Sequence, residues 1–145
     1  MINRKGISAL IATVLLVLIT IAAVGIIWGA IMPLIKSNLE TSQKCNNAEL
    51  TVSLDSGYTY ASGNDAFIQI ARGASTGINI IAIQVKVIDN TGNSVIQTNS
   101  SVPGVNSDKV YKITATGIPK KVGVAPVIGI GNLNYTCPMK EYDLP

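Results

Sequence analysis

Cys45 and Cys137 are the only cysteines in the chain, and histidine is absent altogether. Two thiolates are too few ligands for a structural metal site. The pair therefore points to a disulfide if this part of the chain lies in an oxidising compartment, and to two buried thiols if it does not. Without an imidazole there is no side chain poised as a general base near neutral pH. Nor is there a nucleophile elbow, a phosphate-cradling glycine loop or a paired-cysteine metal motif. Enzymatic activity, a metal and a cofactor are accordingly not expected. Asp55, Asp65, Asp89 and Asp108 each stand beside Ser, Asn, Thr or Gly, and this composition reads as turn-forming aspartate in preference to a calcium loop. Asn99-Ser100-Ser101 and Asn134-Tyr135-Thr136 fit the N-x-S/T acceptor pattern. Asn99, in the loop-like QTNSSVPG, is expected to be the more accessible, whereas Asn134 falls inside an expected strand close to Cys137. Phe67 is expected in the core, while Tyr58 and Tyr60 suit either the core or an adhesive surface patch.

These residues have to be positioned by two stretches of very different character. RKGISALIATVLLVLITIAAVGIIWGAIMPLIK begins with two cations and then carries no charge until Lys36. As a helix, the stretch from Ile7 to Ile35 would be about 43 Å long, more than the roughly 30 Å of a hydrocarbon core. A cleaved secretory leader fits poorly, because the apolar pattern runs on well past Ala23-Val24-Gly25. Arg4 and Lys5 favour a cytoplasmic N-terminal flank, which sends the remainder outwards. An outward head makes the disulfide the favoured reading of Cys45 and Cys137. Gly25 and Gly29 have the G-x-x-x-G spacing that lets a second helix approach closely, although small residues also occur in membrane helices without that role. Pro33 is expected to kink or end the first helical segment near Met32.

Beyond the helix the pattern turns to a period of two. ELTVSL (Glu49 to Leu54), AFIQIAR (Ala66 to Arg72) and INIIAIQVKVID (Ile78 to Asp89) read as strands. In the last of these, Ile81, Ile83, Val85 and Val87 are expected to oppose Ala82, Gln84, Lys86 and Ile88. Asn90-Thr91-Gly92-Asn93 supplies a turn into a return strand over Ser94 to Thr98. Lys109 to Thr116 and Val122 to Tyr135 add further strands, the last interrupted by Pro126, which is expected to put it partly at a sheet edge. Six or seven short strands imply an antiparallel sandwich-like head, so the fold class is α+β. The net charge of +3 is scattered, and no basic face invites nucleic acid.

A short basic leader ending in Lys5-Gly6, directly before a long apolar helix and a β-patterned remainder, resembles the precursors of archaeal type IV pilins, relatives of the archaellins. The resemblance implies cleavage between Gly6 and Ile7 by a membrane prepilin peptidase. It further implies partners in an assembly ATPase and its membrane platform, and a helical homopolymer whose core is the packed N-terminal helices. The glutamate usual at the fifth mature position of bacterial pilins is replaced here by Ile11, so the resemblance is to the archaeal branch. Loss of Arg4 and Lys5 would leave nine cations against eight acids, a nearly neutral subunit able to stack without strong self-repulsion. The expected organisation is a leader over 1–6, a hydrophobic helix and stalk over 7–44, and an extracellular head over 45–145. The expected function is a pilus-like filament subunit, held in the cytoplasmic membrane before assembly and displaying its head for adhesion. An archaellum subunit and a monomeric signal-anchored binding protein are the alternatives.

Overall fold

The computed structural model describes residues 4–75 and 77–145, with side chains in the first helix from Leu10 onward. Met1 to Asn3 of the expected leader, and the side chains of Lys5 and Ile7 on either side of Gly6 at its expected junction, lie outside the described residues. The helix α1 (Arg4–Asn47) is followed by β1 (Leu50–Val52), β2 (Tyr60–Ser62), β3 (Asp65–Arg72), β4 (Ile80–Asp89), β5 (Ser94–Asn99), β6 (Ser107–Thr114), β7 (Pro119–Ile130), β8 (Leu133–Thr136) and β9 (Lys140–Asp143). The protein is therefore α+β, one long apolar helix and then antiparallel sheets. It divides into two units, one ending at Glu40 and the other running from Thr41 to Pro145.

In the first unit α1 is apolar on every face, and its large side chains from Leu10 to Leu39 are all exposed. Such a helix has no preferred buried stripe and needs an apolar surrounding from outside the chain. From Leu10 it is long and apolar enough to cross a membrane. Its two central hydroxyls are satisfied within the helix: Thr13 Oγ1 donates to the Leu10 carbonyl at 2.9 Å and Thr20 Oγ1 to the Val17 carbonyl at 2.8 Å. Neither would carry an unmatched hydroxyl into lipid. Of the two outcomes expected at Pro33, the helix does not end there but runs on through it. Proline removes the donor to the Gly29 carbonyl and crowds that turn, but Gly29 has no side chain to add to the crowding. The following Leu34, Lys36, Leu39, Glu40 and Lys44 are good helix formers that carry the element to Asn47. The helix also begins at Arg4 and so includes Gly6, since a single glycine costs only about 1 kcal/mol against a long helical run.

In the second unit the strands form two sheets. In the first, β3 is central, with β6 on one side and both β1 and β2 on the other, end to end. The gap between β1 and β2 is closed by Thr59, whose hydroxyl donates to the Ser53 carbonyl at 2.7 Å and accepts the Gln69 amide at 3.0 Å. A buried hydroxyl thus takes the place of a missing ladder bond. The second sheet has the order β5, β4, β7, with β8 and β9 sharing the far side of β7. One apolar cluster joins the two sheets, with Val52, Ile68, Ile70 and Ile113 from the first against Ile83, Val85, Val87, Val122, Val124 and Ile128 from the second. The arrangement is an antiparallel sandwich.

Three expectations about the strands are corrected. Ile80, not Ile81, joins Ile83, Val85 and Val87 in the core. A register shift between Ile80 and Ala82 inserts one extra residue and flips the phase at that point. Phe67 lies on the outer face, because β3 turns Ala66, Ile68 and Ile70 inward. Finally, β7 is an inner strand although it contains Pro126. The Pro126 carbonyl accepts the Cys137 amide at 2.9 Å. The backbone groups of one residue in an antiparallel ladder point to one side, so the missing Pro126 donor faces the break between β8 and β9, and the ladder to β4 loses nothing.

Candidate functional site

Two places in the chain gather the residues singled out by sequence: the exposed helix and the base of the head. On the helix, an ideal Cβ built at Gly25 or at Gly29 meets nothing within 4 Å. These two positions, one turn apart, form a side-chain-free patch flanked by Ile26 and Trp28, 71 % and 62 % exposed. Such a patch allows backbone-to-backbone approach by another helix.

At the base of the head, Cys45 in the last turns of α1 is bonded to Cys137, with Cα atoms 5.4 Å apart. Cys137 lies just past β8, in the break opposite Pro126, where the interrupted edge leaves room for the bridge. The Ala48 amide closes the helix end on the Lys44 carbonyl at 2.9 Å, and Ala48 itself is buried. A cleft of about 100 Å³ beside the bridge is lined by Ala48, Leu50, Val124, Pro126, Pro138 and Lys140 among others. It brings together no acid–base pair, and its only charged lining residue is Lys140.

The acidic residues do not converge. Among the described residues no group of three or more His, Cys, Asp or Glu side chains is placed to hold a metal. Asp65 receives the Thr114 hydroxyl at 2.6 Å and the Lys112 ammonium at 2.9 Å, and these two donors hold its carboxyl below the usual range. Gln69 Nε2 donates to Asp108 on the same sheet. Phe67 stacks on Tyr60 with ring centroids 4.9 Å apart, and Lys112 lies 5.7 Å over the Phe67 ring. This is a cross-strand surface pair, with Tyr58 and Tyr60 both exposed.

Asp89 is the one buried carboxylate among the described residues. Its Oδ1 accepts the Thr91 hydroxyl at 2.7 Å and the Thr91 and Asn93 amides at 2.9 Å, and its Oδ2 accepts the Thr116 hydroxyl at 2.8 Å. The residue thereby holds the turn between β4 and β5 and ties it to the loop after β6. The Thr91 hydroxyl contributes most to stabilising the anion, burial opposes it, and the Thr116 hydroxyl and the two amides add to it, so the pKa falls to about 2. A group whose folded pKa lies below its unfolded value of about 3.9 contributes stability that is complete above the unfolded value and is lost as pH falls through the folded one. The melting temperature should therefore fall between about pH 4 and pH 2. Asp89→Asn, which keeps an acceptor oxygen but no charge, should flatten that acid limb in a thermal melt taken across this range.

Asn134 lies in a strand near Cys137 as expected, in β8, but is exposed, whereas Asn99, expected in an accessible loop, is the last residue of β5 and half-buried. Comparison with known protein families, curated proteins and solved structures returns no match to this chain.

Proposed function

We propose that the protein is a structural subunit of an extracellular filament of the archaeal type IV pilus kind. In this reading it is processed between Gly6 and Ile7 and polymerises through its N-terminal helix. The observation that carries the reading is the apolar helix itself: exposed on all faces, long enough to span a membrane, and preceded by a basic pair and a glycine. An anchor needs lipid around it. Identical helices can replace that lipid once Arg4 and Lys5 are gone, and apolar burial at about 25 cal/mol per Å² over so many side chains is ample to hold a polymer in water. The disulfide supports an oxidising, outward location for the head. Before assembly the chain would sit in the cytoplasmic membrane, with a prepilin peptidase, an assembly ATPase and its membrane platform as partners, and the head would serve adhesion or surface contact. The chemistry on the head favours no catalytic role.

The test is the N-terminal sequence and intact mass of the chain from native cells, with sheared surface material and membranes analysed separately. A chain beginning at Ile7 in the sheared fraction is the expected result. A chain confined to membranes and still carrying Arg4 and Lys5 would overturn the filament reading and leave an anchored module.

A further inference from the structure

The strand β8 lies at the free edge of the second sheet. Because Cys137 donates its amide to Pro126, alternation along the ladder turns the backbone groups of Leu133 and Tyr135 toward β7 and those of Asn134 and Thr136 away from it. Tyr135 packs against the core, while Asn134 and Thr136 are exposed. Neither of these two side chains makes a hydrogen bond within the described residues. Across the ladder Asn134 faces Gly129, so no side chain stands beside its carboxamide on that strand. The acceptor amide and the hydroxyl two residues on are thus presented together on extended, accessible backbone.

The other triplet is held in the opposite way. Asn99 pairs with Ile83 and so shares the face of the sheet that carries this fully buried isoleucine. Its side chain is half-buried, and its Oδ1 accepts the Ser101 amide at 2.9 Å. Engaging an enzyme at Asn99 would require that turn to open.

We propose that the folded head is N-glycosylated at Asn134 and not at Asn99. The proposal rests on the reading that the head is exported. The donor is an oligosaccharide activated as a polyprenyl phosphate or diphosphate. Nδ2 of Asn134 attacks the anomeric carbon, a C–N bond forms as the C–O bond to phosphate breaks, the amide gives up one proton, and the carrier leaves with the bonding electron pair. The sugar would also guard the fold. LNYT is uncharged and includes Leu133 at 62 % exposure, whereas β9 on the same side of β7 carries Lys140, Glu141 and Asp143. Uncharged free edges are templates for foreign strands, and a bulky hydrophilic group at Asn134 blocks that approach.

Tryptic mapping of the reduced native protein separates the two sites, since Val87–Lys109 carries Asn99 and Val122–Lys140 carries Asn134. The expected result is a glycan mass on Val122–Lys140 alone, abolished in Asn134→Gln and retained in Asn99→Gln. A glycan on Val87–Lys109, with or without the other, or unmodified forms of both peptides, would overturn the proposal. The same digest reports processing independently, because an uncut precursor yields Gly6–Lys36 and a processed chain Ile7–Lys36. Failure of the filament reading is therefore distinguishable from failure of the glycan assignment.

Discussion

Reducing the Cys45–Cys137 bond in the full chain, held in detergent micelles, should lower the melting temperature of the head by roughly 15–40 °C. The bridge closes a loop with a sequence separation of 92 residues, which contains eight of the nine strands. On the chain-entropy account a loop of this size restricts the unfolded chain by about 4–5 kcal/mol. For a head of about one hundred residues, each kcal/mol moves the melting temperature by about 4–8 °C. The sandwich is small and draws its core largely from Ile and Val, so such a loss takes much of its total stability. Reduction and the double replacement Cys45→Ala with Cys137→Ala should agree to within a few degrees. The alanine pair adds only a small packing loss at Cys137, which is 5 % exposed. A shift under about 5 °C on reduction would show that the unfolded chain is already constrained, or that the base of the head contributes little.

The parts of this molecule that were readable in sequence are those where the hydrophobic pattern has only one solution. Val85 and Val87 alternate with Gln84 and Lys86, so their phase is fixed by the polar partners. The same logic puts Ile68 and Ile70 on one face of AFIQIAR and Phe67 on the other, and position outweighs the aromatic character that suggests a core residue. INIIAI offers no such polar marker, because both phases are apolar, and the bulge that brings Ile80 rather than Ile81 into the core cannot be read from it. YAS in β2 and KEYD in β9 are strands by virtue of their partners β3 and β7, and three or four residues carry too little periodicity to announce themselves. Pro126 misled for a related reason. Its cost depends on which neighbour its nitrogen faces, and that neighbour is the break at Cys137, which is fixed by tertiary structure. The exposure of Asn134 and the restraint on Asn99 were likewise invisible, since both depend on strand face and edge position. What was legible depended on composition: the long apolar run of the helix and the two cysteines.

Replacing Gly25 and Gly29 together by leucine should leave membrane insertion intact while lowering filament yield about 10- to 100-fold. Under the proposed function the helix has two roles, insertion and subunit packing, and they separate at these positions. Insertion depends on the apolar character of the span, and leucine is more apolar and more helix-favouring than glycine. Nothing lies within 4 Å of a Cβ at either position, so the added side chains meet no obstacle in their own chain. Packing between copies depends on the absence of those side chains, because a helix seated on a G-x-x-x-G patch rests close to the backbone. Added bulk at a close contact costs about 1–3 kcal/mol, and each 1.4 kcal/mol raises the concentration needed for assembly about tenfold. Carbonate-resistant membrane association of the variant, together with sheared filament yield and N-terminal processing, reads the three steps separately. Normal insertion, normal cleavage and few filaments would place Gly25 and Gly29 in the subunit contact. Wild-type yield would show that copies meet on the opposite face of the helix, where Leu16, Ile27 and Leu34 stand equally uncovered.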